Sequence, residues 1–361
     1  MKHRLSYLTV SVLVILAFGC EQQQPTEPTP SIQEEPQSPV RFQYADHYIV
    51  QYSKAAQTLR VKKSVRAKGG KIYSESRALR FSVVKGISEK DAAALREVEG
   101  VKSVTRDIIV RWIPESKDIT DGRVEKLTGP EAAAEPPSHG SGVNQWNMRQ
   151  ISADKAWDEG YTGDGALVAI LDTGINPDHV ELAGRVDFGL SRTFVTSSPY
   201  EPDLASWDDF HFHGTHVAGI VSANGIVAAG VAPNATLVAV KIMNAHGFGS
   251  FGDLIRGILY AAEIQVDVIN LSLGAYIPNT DQFKPLLEVL KTALTTAIDA
   301  GVLVVAAAGN DARELVKGGD LRFVPAQADE CHGADQSNGL RSSGKLLKFW
   351  YRGYFGSRTG W

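Results

Sequence analysis

Two kinds of hydrophobic pattern divide the chain. Between residues 40 and 114, apolar positions alternate with polar ones in short runs. His47-Tyr48-Ile49-Val50-Gln51-Tyr52 and residues 78–84 have the period of two expected of strands. Residues 54–68 are polar and helix-compatible. Residues 88–98 open with Ser88, place Asp91 three positions on, and carry Leu95 and Val98 on one face, as a capped helix does. Residues 101–113 form a last strand. The order strand, helix, strand, helix, strand predicts a small α+β domain of split βαβ, ferredoxin-like layout over 40–114. From Trp146 the pattern changes. The runs at 167–171, 237–240, 266–271 and 302–306 do not alternate, as befits strands buried on both faces. Helical stretches at 215–223, 252–263 and 286–300 lie between them. This order predicts an α/β domain with a doubly wound parallel sheet over 146–340.

The remaining segments lack either pattern. Lys2, His3 and Arg4 precede an apolar run over 5–19, which is too short to span a bilayer and suits an export signal over 1–20. Its end, Gly19-Cys20, resembles the bacterial lipoprotein signal. Cys20 is therefore the expected lipidation site, and the protein is expected outside the cytoplasm, membrane-anchored or secreted. With Cys20 lipidated, Cys331 is left alone and no intrachain disulfide can form. Residues 21–39, rich in Gln, Glu, Pro, Ser and Thr, read as a disordered tether. Residues 115–145, with Pro136-Pro137, read as a linker and a processing region.

Charge adds a further asymmetry. The chain carries a net −4, yet residues 40–114 hold 16 Lys/Arg against 7 Asp/Glu, while residues 115–340 hold 14 against 30. A basic module ahead of an acidic one suits two domains that attract each other, although two independently solvated surfaces would look the same.

Three segments carry candidate chemistry. Asp172-Thr173-Gly174 follows an apolar strand, placing a carboxylate at the sheet edge where α/β sites form; alone, such an Asp is equally a turn residue. His213-Gly214-Thr215-His216-Val217-Ala218-Gly219 opens a helix; His213 and His216 could be a metal pair, but they lack further ligands. A histidine paired with a carboxylate is instead the general base of acyl transfer. Ala307-Ala308-Gly309-Asn310 ends another strand, where the Asn amide could donate to a developing oxyanion or simply make a turn. Together with Gly230-Val231-Ala232-Pro233 and Asn270-Leu271-Ser272-Leu273-Gly274, these segments resemble the subtilases over residues 146 to about 312.

The resemblance implies a serine endopeptidase acting on peptide or protein substrates, with no cofactor and no nucleic-acid partner. Asp172 would orient the base, His213 would be general base and acid, and Asn310 the oxyanion-hole donor. Ser272, Leu273 and Gly274 would line the substrate strand, pairing with peptide backbone. Ala307, Ala308 and Gly309 would form the facing wall of the specificity pocket. Residues 40–114 would be the propeptide, an intramolecular folding aid and inhibitor; a module inhibiting a related protease in trans is the alternative.

Two departures from the family pattern stand out. Glu181 falls where many relatives place a calcium-binding Asp, but the loop over 223–230 is shorter than their calcium loop, so no metal site is expected. The Gly-Thr-Ser-Met-Ala turn of the nucleophile does not occur in the 361 residues, and Ser342, Ser343 and Ser357 sit in no such motif. The chain as written is therefore expected to be inactive. Residues 341–361 hold five Lys/Arg, no Asp/Glu and six aromatics. Permissible codons for residues 345–361, shifted by one nucleotide, can encode an Asn-Phe-Gly and an Ala-Pro-Gly like those of subtilases. The tail is thus expected to be a frame-shifted segment; the competing reading is a basic aromatic surface tail.

Overall fold

A computed structural model describes residues 42–53, 58–76, 80–113, 145–198, 202–310, 319–328 and 332–334. Cys20, the signal and tether segments, most of the linker and the 341–361 tail lie outside the described residues. The described residues, which lie between 42 and 334, fall in one compact unit.

The first part runs β1 (Gln43–Tyr52), α1 (Thr58–Ala67), β2 (Lys71–Ser76), β3 (Phe81–Lys85), α2 (Glu89–Arg96) and β4 (Val101–Arg111). The strands lie antiparallel in the order β2-β3-β1-β4, the ferredoxin-like βαββαβ arrangement. Ser88 caps α2, its Oγ accepting from the Asp91 N–H at 3.1 Å. Tyr48, Val50, Tyr52, Val61, Val65, Val84, Ala92, Leu95 and Val104 form the core beneath the two helices. Strand β2 is an addition to the expected elements. It is the sheet's outer edge, and its sequence, Lys-Ile-Tyr-Ser-Glu-Ser, buries no residue fully.

The second part runs α3 (Trp146–Gln150), α4 (Ala153–Asp158), β5 (Leu167–Asp172), β6 (Arg192–Thr193), α5 (Pro202–Ala205), α6 (His213–Ser222), β7 (Thr236–Lys241), β8 (Phe248–Ser250) and α7 (Phe251–Glu263). It continues with β9 (Val268–Leu271), β10 (Ala275–Pro278), α8 (Lys284–Asp299), β11 (Leu303–Ala307), β12 (Leu321–Val324) and β13 (His332–Ala334). Six strands form a parallel sheet in the order β13-β11-β9-β5-β7-β6. Alternate residues of the central strands enter two cores. Ala169, Leu171, Val238 and Val240 face the core shared with α7 and α8. Val168, Ile170, Leu237 and Ala239 face the core shared with α6. With both faces covered, the strand sequences have no reason to alternate.

The two parts share a sheet. Strand β8 pairs antiparallel with the free edge of β4, Val110 opposite Gly249, giving a five-stranded sheet. The sheet face away from α1 and α2 packs into the large core of the second part: Ile49, Phe81, Val83, Ile108, Val110 and Trp112 belong to it. Phe42 meets Phe283 edge-on at 4.9 Å. The polar positions that alternate with Ile49 along β1 are therefore covered too, and His47 and Gln51 are buried.

Candidate active site

Asp172 is the last residue of β5 and His213 the first of α6, so a buried strand delivers one and a helix start the other. His213 Nδ1 lies 2.8 Å from Asp172 Oδ1 and 3.0 Å from Oδ2, and donates its proton to the carboxylate. Asp172 is fully buried, whereas the His213 side chain is about a quarter exposed. The close approach needs Gly214: a methyl group there would lie 2.1 Å from the Gly174 carbonyl oxygen. Burial acts to lower the His213 pKa, but the hydrogen bond and charge of Asp172, helped by Asp209, outweigh it and raise it. His211, two residues earlier, is pushed down, chiefly by burial. An imidazole held on one nitrogen by a buried carboxylate, with its other face toward solvent, can take and return a proton.

Two residues that motif reading passed over support this pair. Asp209 Oδ1 accepts from Thr173 Oγ1 at 2.8 Å, and from the His211 and Phe212 N–H groups at 2.9 and 3.0 Å. Its Oδ2 accepts from the Thr215 N–H at 2.9 Å and from Thr215 Oγ1 at 2.6 Å. One carboxylate thus ties the end of β5 to the start of α6, and restrains Phe212, which sits at φ 109° immediately before His213. Lys241, fully buried at the end of β7, lies 3.1 Å from Asp203 Oδ1 and donates to the Thr173 and Asp208 carbonyls. Burial lowers its pKa against the pull of Asp203. A lysine closing the apolar run Leu237-Val238-Ala239-Val240 was the one sequence signal for this group.

The other expected site residues occupy the same edge of the sheet. Ser272, Leu273 and Gly274 directly follow β9; Ser272 Oγ accepts from Asn270 Nδ2 at 2.8 Å, and Leu273 is buried. Ala307 ends β11, with Ala308, Gly309 and exposed Asn310 just beyond it. Among the described residues, Asn310 is not hydrogen-bonded to the Asp172–His213 pair.

Between β8 and the 272–274 segment runs the continuation of β4. The Trp112 N–H donates to the Gly247 carbonyl at 3.1 Å, and the Gly274 N–H donates to the Trp112 carbonyl at 2.9 Å. The Trp112 indole is buried against Phe251, ring centroids 5.2 Å apart, and donates to the Gly249 carbonyl at 3.0 Å. Ile113 is buried over Gly247, where a methyl group would come within 2.6 Å of its side chain.

Glu181 does not fit a cation. Its carboxylate accepts from the N–H groups of Ile226 at 3.0 Å, Val227 at 2.5 Å and Ala228 at 3.1 Å. Three converging N–H dipoles neutralise the charge that a calcium ion would need, and they repel the ion itself. Among the described residues no group of three or more His, Cys, Asp or Glu is arranged to hold a metal, and no helix is long and apolar enough to cross a membrane.

Residues 163–334 match the Subtilase family. Subtilisin E of Bacillus subtilis is 32% identical over 269 residues, 73% of this chain and 59% of that protein. The minor extracellular protease Epr of the same organism is 32% identical over 222 residues, 61% of this chain and 31% of Epr. The chain thus spans less than two thirds of the length of either relative. In fold it resembles the epidermin leader peptide processing serine protease of Staphylococcus aureus. The TM-score is 0.61 at 23% identity, over 80% of this chain and 68% of that one. The chain carries a subtilase-family domain, homologous to the subtilisins, in residues 163–334.

Proposed function

We propose that residues 145–334 are the base-bearing part of a subtilisin-like serine endopeptidase, and that residues 42–113 are its intramolecular inhibitor. The observation that carries the reading is the Asp172–His213 pair, 2.8 Å apart at the carboxyl edge of a parallel sheet. In this mechanism His213 Nε2 takes the proton of a serine hydroxyl as its oxygen adds to a peptide carbonyl carbon. Asp172 steadies the imidazolium, and the Asn310 amide donates to the carbonyl oxygen as it gains charge. The C–N bond breaks as His213 passes its proton to the departing amine. Water then repeats the sequence on the acyl-enzyme. Peptide backbone would lie along 272–274, with 307–309 opposite; the chemistry calls on no cofactor and no nucleic acid.

The inhibitory role of 42–113 draws support from Trp112 and Ile113, which lie along that strand as a substrate would, and from the opposite charges of the two parts. Export, and anchoring through a lipid on Cys20, belong to the same proposal. The 361 residues contain no Gly-Thr-Ser-Met-Ala turn, and among the described residues no serine hydroxyl is hydrogen-bonded to His213. The chain alone should therefore neither hydrolyse casein nor react with a fluorophosphonate. The nucleophile is expected from the shifted frame beyond codon 341.

The test compares the chain with a form extended through that frame. The extended form should hydrolyse casein, and both phosphonate and His213→Ala should abolish the activity. Loss of the nucleophile is a roughly 10⁶-fold effect in a serine peptidase, a magnitude measured on a subtilisin. No activity in an extended form that contains the turn sinks the enzyme reading; absence of the turn from that frame sinks the frame-shift account. If the chain instead inhibits an added subtilisin, the inhibitor in trans is the better description.

A further inference from the structure

The slot between the two proposed pocket walls is filled by a side chain of the protein itself. Gly274 belongs to one wall and Gly309 to the other. A methyl group built on Gly274 would lie 2.3 Å from Cζ of Phe323, and one built on Gly309 would lie 3.0 Å from the same atom. The tip of one phenyl ring therefore touches both glycine backbones, and it fits because neither residue carries a side chain. The ring is held from behind. Strands β10 and β12 pair antiparallel with Tyr276 opposite Phe323, and the two rings are 4.9 Å apart. The Phe323 N–H donates to Gln327 Oε1 at 2.6 Å. Phe323 is only 6% exposed, so little of the slot remains open around it.

We propose that Phe323 determines specificity: its ring fills the pocket for the side chain beside the attacked carbonyl, so the site takes peptides with glycine, alanine or serine there. The inference rests on the peptidase reading, in which 272–274 and 307–309 flank that residue. Its physical basis is volume. Protein interiors are packed to crystal-like density, and a Leu or Phe side chain would need the space the ring occupies, whereas a methyl or hydroxymethyl group needs almost none of it. Neither wall can widen easily. Gly274 is tied through its N–H to the Trp112 carbonyl and continues into β10, and Gly309 follows a core strand.

Two experiments test this, and the first needs no hydrolysis. Amide spectra of the full chain are recorded during titration with benzene. In native protein the Gly274 and Gly309 signals should stay fixed. In Phe323→Ala the vacated apolar space should bind benzene, as dry engineered cavities do, and both signals should move. Phe323→Val, which keeps a strand-forming residue in β12, serves as a second cavity variant. Movement in native protein, or none in either variant, overturns the proposal. The second experiment maps cuts made in a peptide library by the extended, hydrolysing form. Cuts should follow Gly, Ala or Ser, with Leu or Phe slower by roughly 10–200-fold, and cuts mainly after Leu or Phe overturn the proposal. Failure of that form to hydrolyse anything counts against the peptidase reading instead, and the benzene titration then judges Phe323 by itself.

Discussion

Replacing Trp112 with alanine isolates the contact that joins residues 42–113 to the cleft. The indole is almost wholly buried, stacks at an angle on Phe251 and donates to the Gly249 carbonyl. The main-chain bonds from Trp112 to Gly247 and Gly274 survive the substitution. Truncating a buried Trp to Ala costs about 3–5 kcal/mol, of which the lost indole hydrogen bond accounts for about 1 kcal/mol. If this energy is spent on docking, the population in which 109–113 leaves the cleft rises by roughly two to nearly four orders of magnitude. Amide hydrogen exchange on the full chain reads this directly. Protection should fall at Trp112 and Gly274, whose amides bond across the contact, while Phe248 and Ser250, which donate to Asn244 and Asp253, and the β5 and β7 amides in the parallel sheet stay as they were. Trp112→Phe keeps a ring on Phe251 and should show a smaller loss. Unchanged exchange at Trp112 and Gly274 would refute the reasoning, as would a uniform loss across β5 and β7, which would mean that Trp112 supports the whole molecule rather than one docking face.

The buried charges beside that face give a pH dependence. His47 Nε2 lies 2.7 Å from Asp107 Oδ2 and its Nδ1 3.0 Å from Asp46; burial opposes its protonation, but Asp107, Asp46 and Asp253 outweigh that and raise its pKa. This stabilisation is complete below about 6.5 and is lost as pH rises through the raised value. Asp253, buried near His47 and Asp107, is pushed up to about 6 by burial, so it adds a penalty that grows from about pH 4 to 6 and has the same sign. The urea midpoint should fall between pH 5 and 8, and His47→Gln should flatten its upper part; a midpoint rising over that range contradicts the assignment. Asp209→Asn should lower the His213 pKa in an NMR titration, by less than Asp172→Asn does; an unchanged value would show that Asp209 has no electrical or positioning hold on the imidazole. Glu181→Gln should cost about 1–3 kcal/mol by replacing the buried carboxylate that accepts three N–H groups with an amide, while a chelator leaves the unmodified chain's melting temperature unmoved; a chelator-induced drop would mean that a cation is bound after all.

The parts of the fold that sequence patterns reach are those where local chemistry and burial agree. Residues 167–171, 237–240 and 302–306 read as doubly buried strands because every position enters one of two cores, and Ser88 and Asp91 mark a helix start through a local bond. Asp172 and His213 were legible because the glycines that let their backbones approach, Gly174 and Gly214, stand beside them in the chain. Strand β2 was passed over because an edge strand with one wet face needs no apolar run. The burial of His47 and Gln51 is not legible locally: His47 lies against the start of α7, some 200 residues away, and Gln51 accepts from Ser103 on the neighbouring strand. Asp209 is one aspartate in a polar loop, and its five hydrogen bonds are invisible before the loop folds. Phe323 lies in an unremarkable strand, and only the pairing of β10 with β12 carries it to Gly274 and Gly309.

The shared five-stranded sheet has one more effect. Its outer boundary, β2, carries Lys71 and Glu75 and buries nothing fully, so it offers a poor template for another chain. The inner boundary, between β4 and β8, is sealed only because both strands belong to the same molecule. Separating residues 42–113 from the rest would bare the Gly249 backbone, the Gly247 carbonyl and the Gly274 N–H, together with the apolar flank around Phe251 and Phe283. Because the lost partner ran antiparallel, two such exposed edges can satisfy each other across a twofold axis. Cleavage in the linker without a replacement ligand for that edge would thus favour self-association, and the tightness of the β4–β8 seam sets how much of the protein stays dispersed.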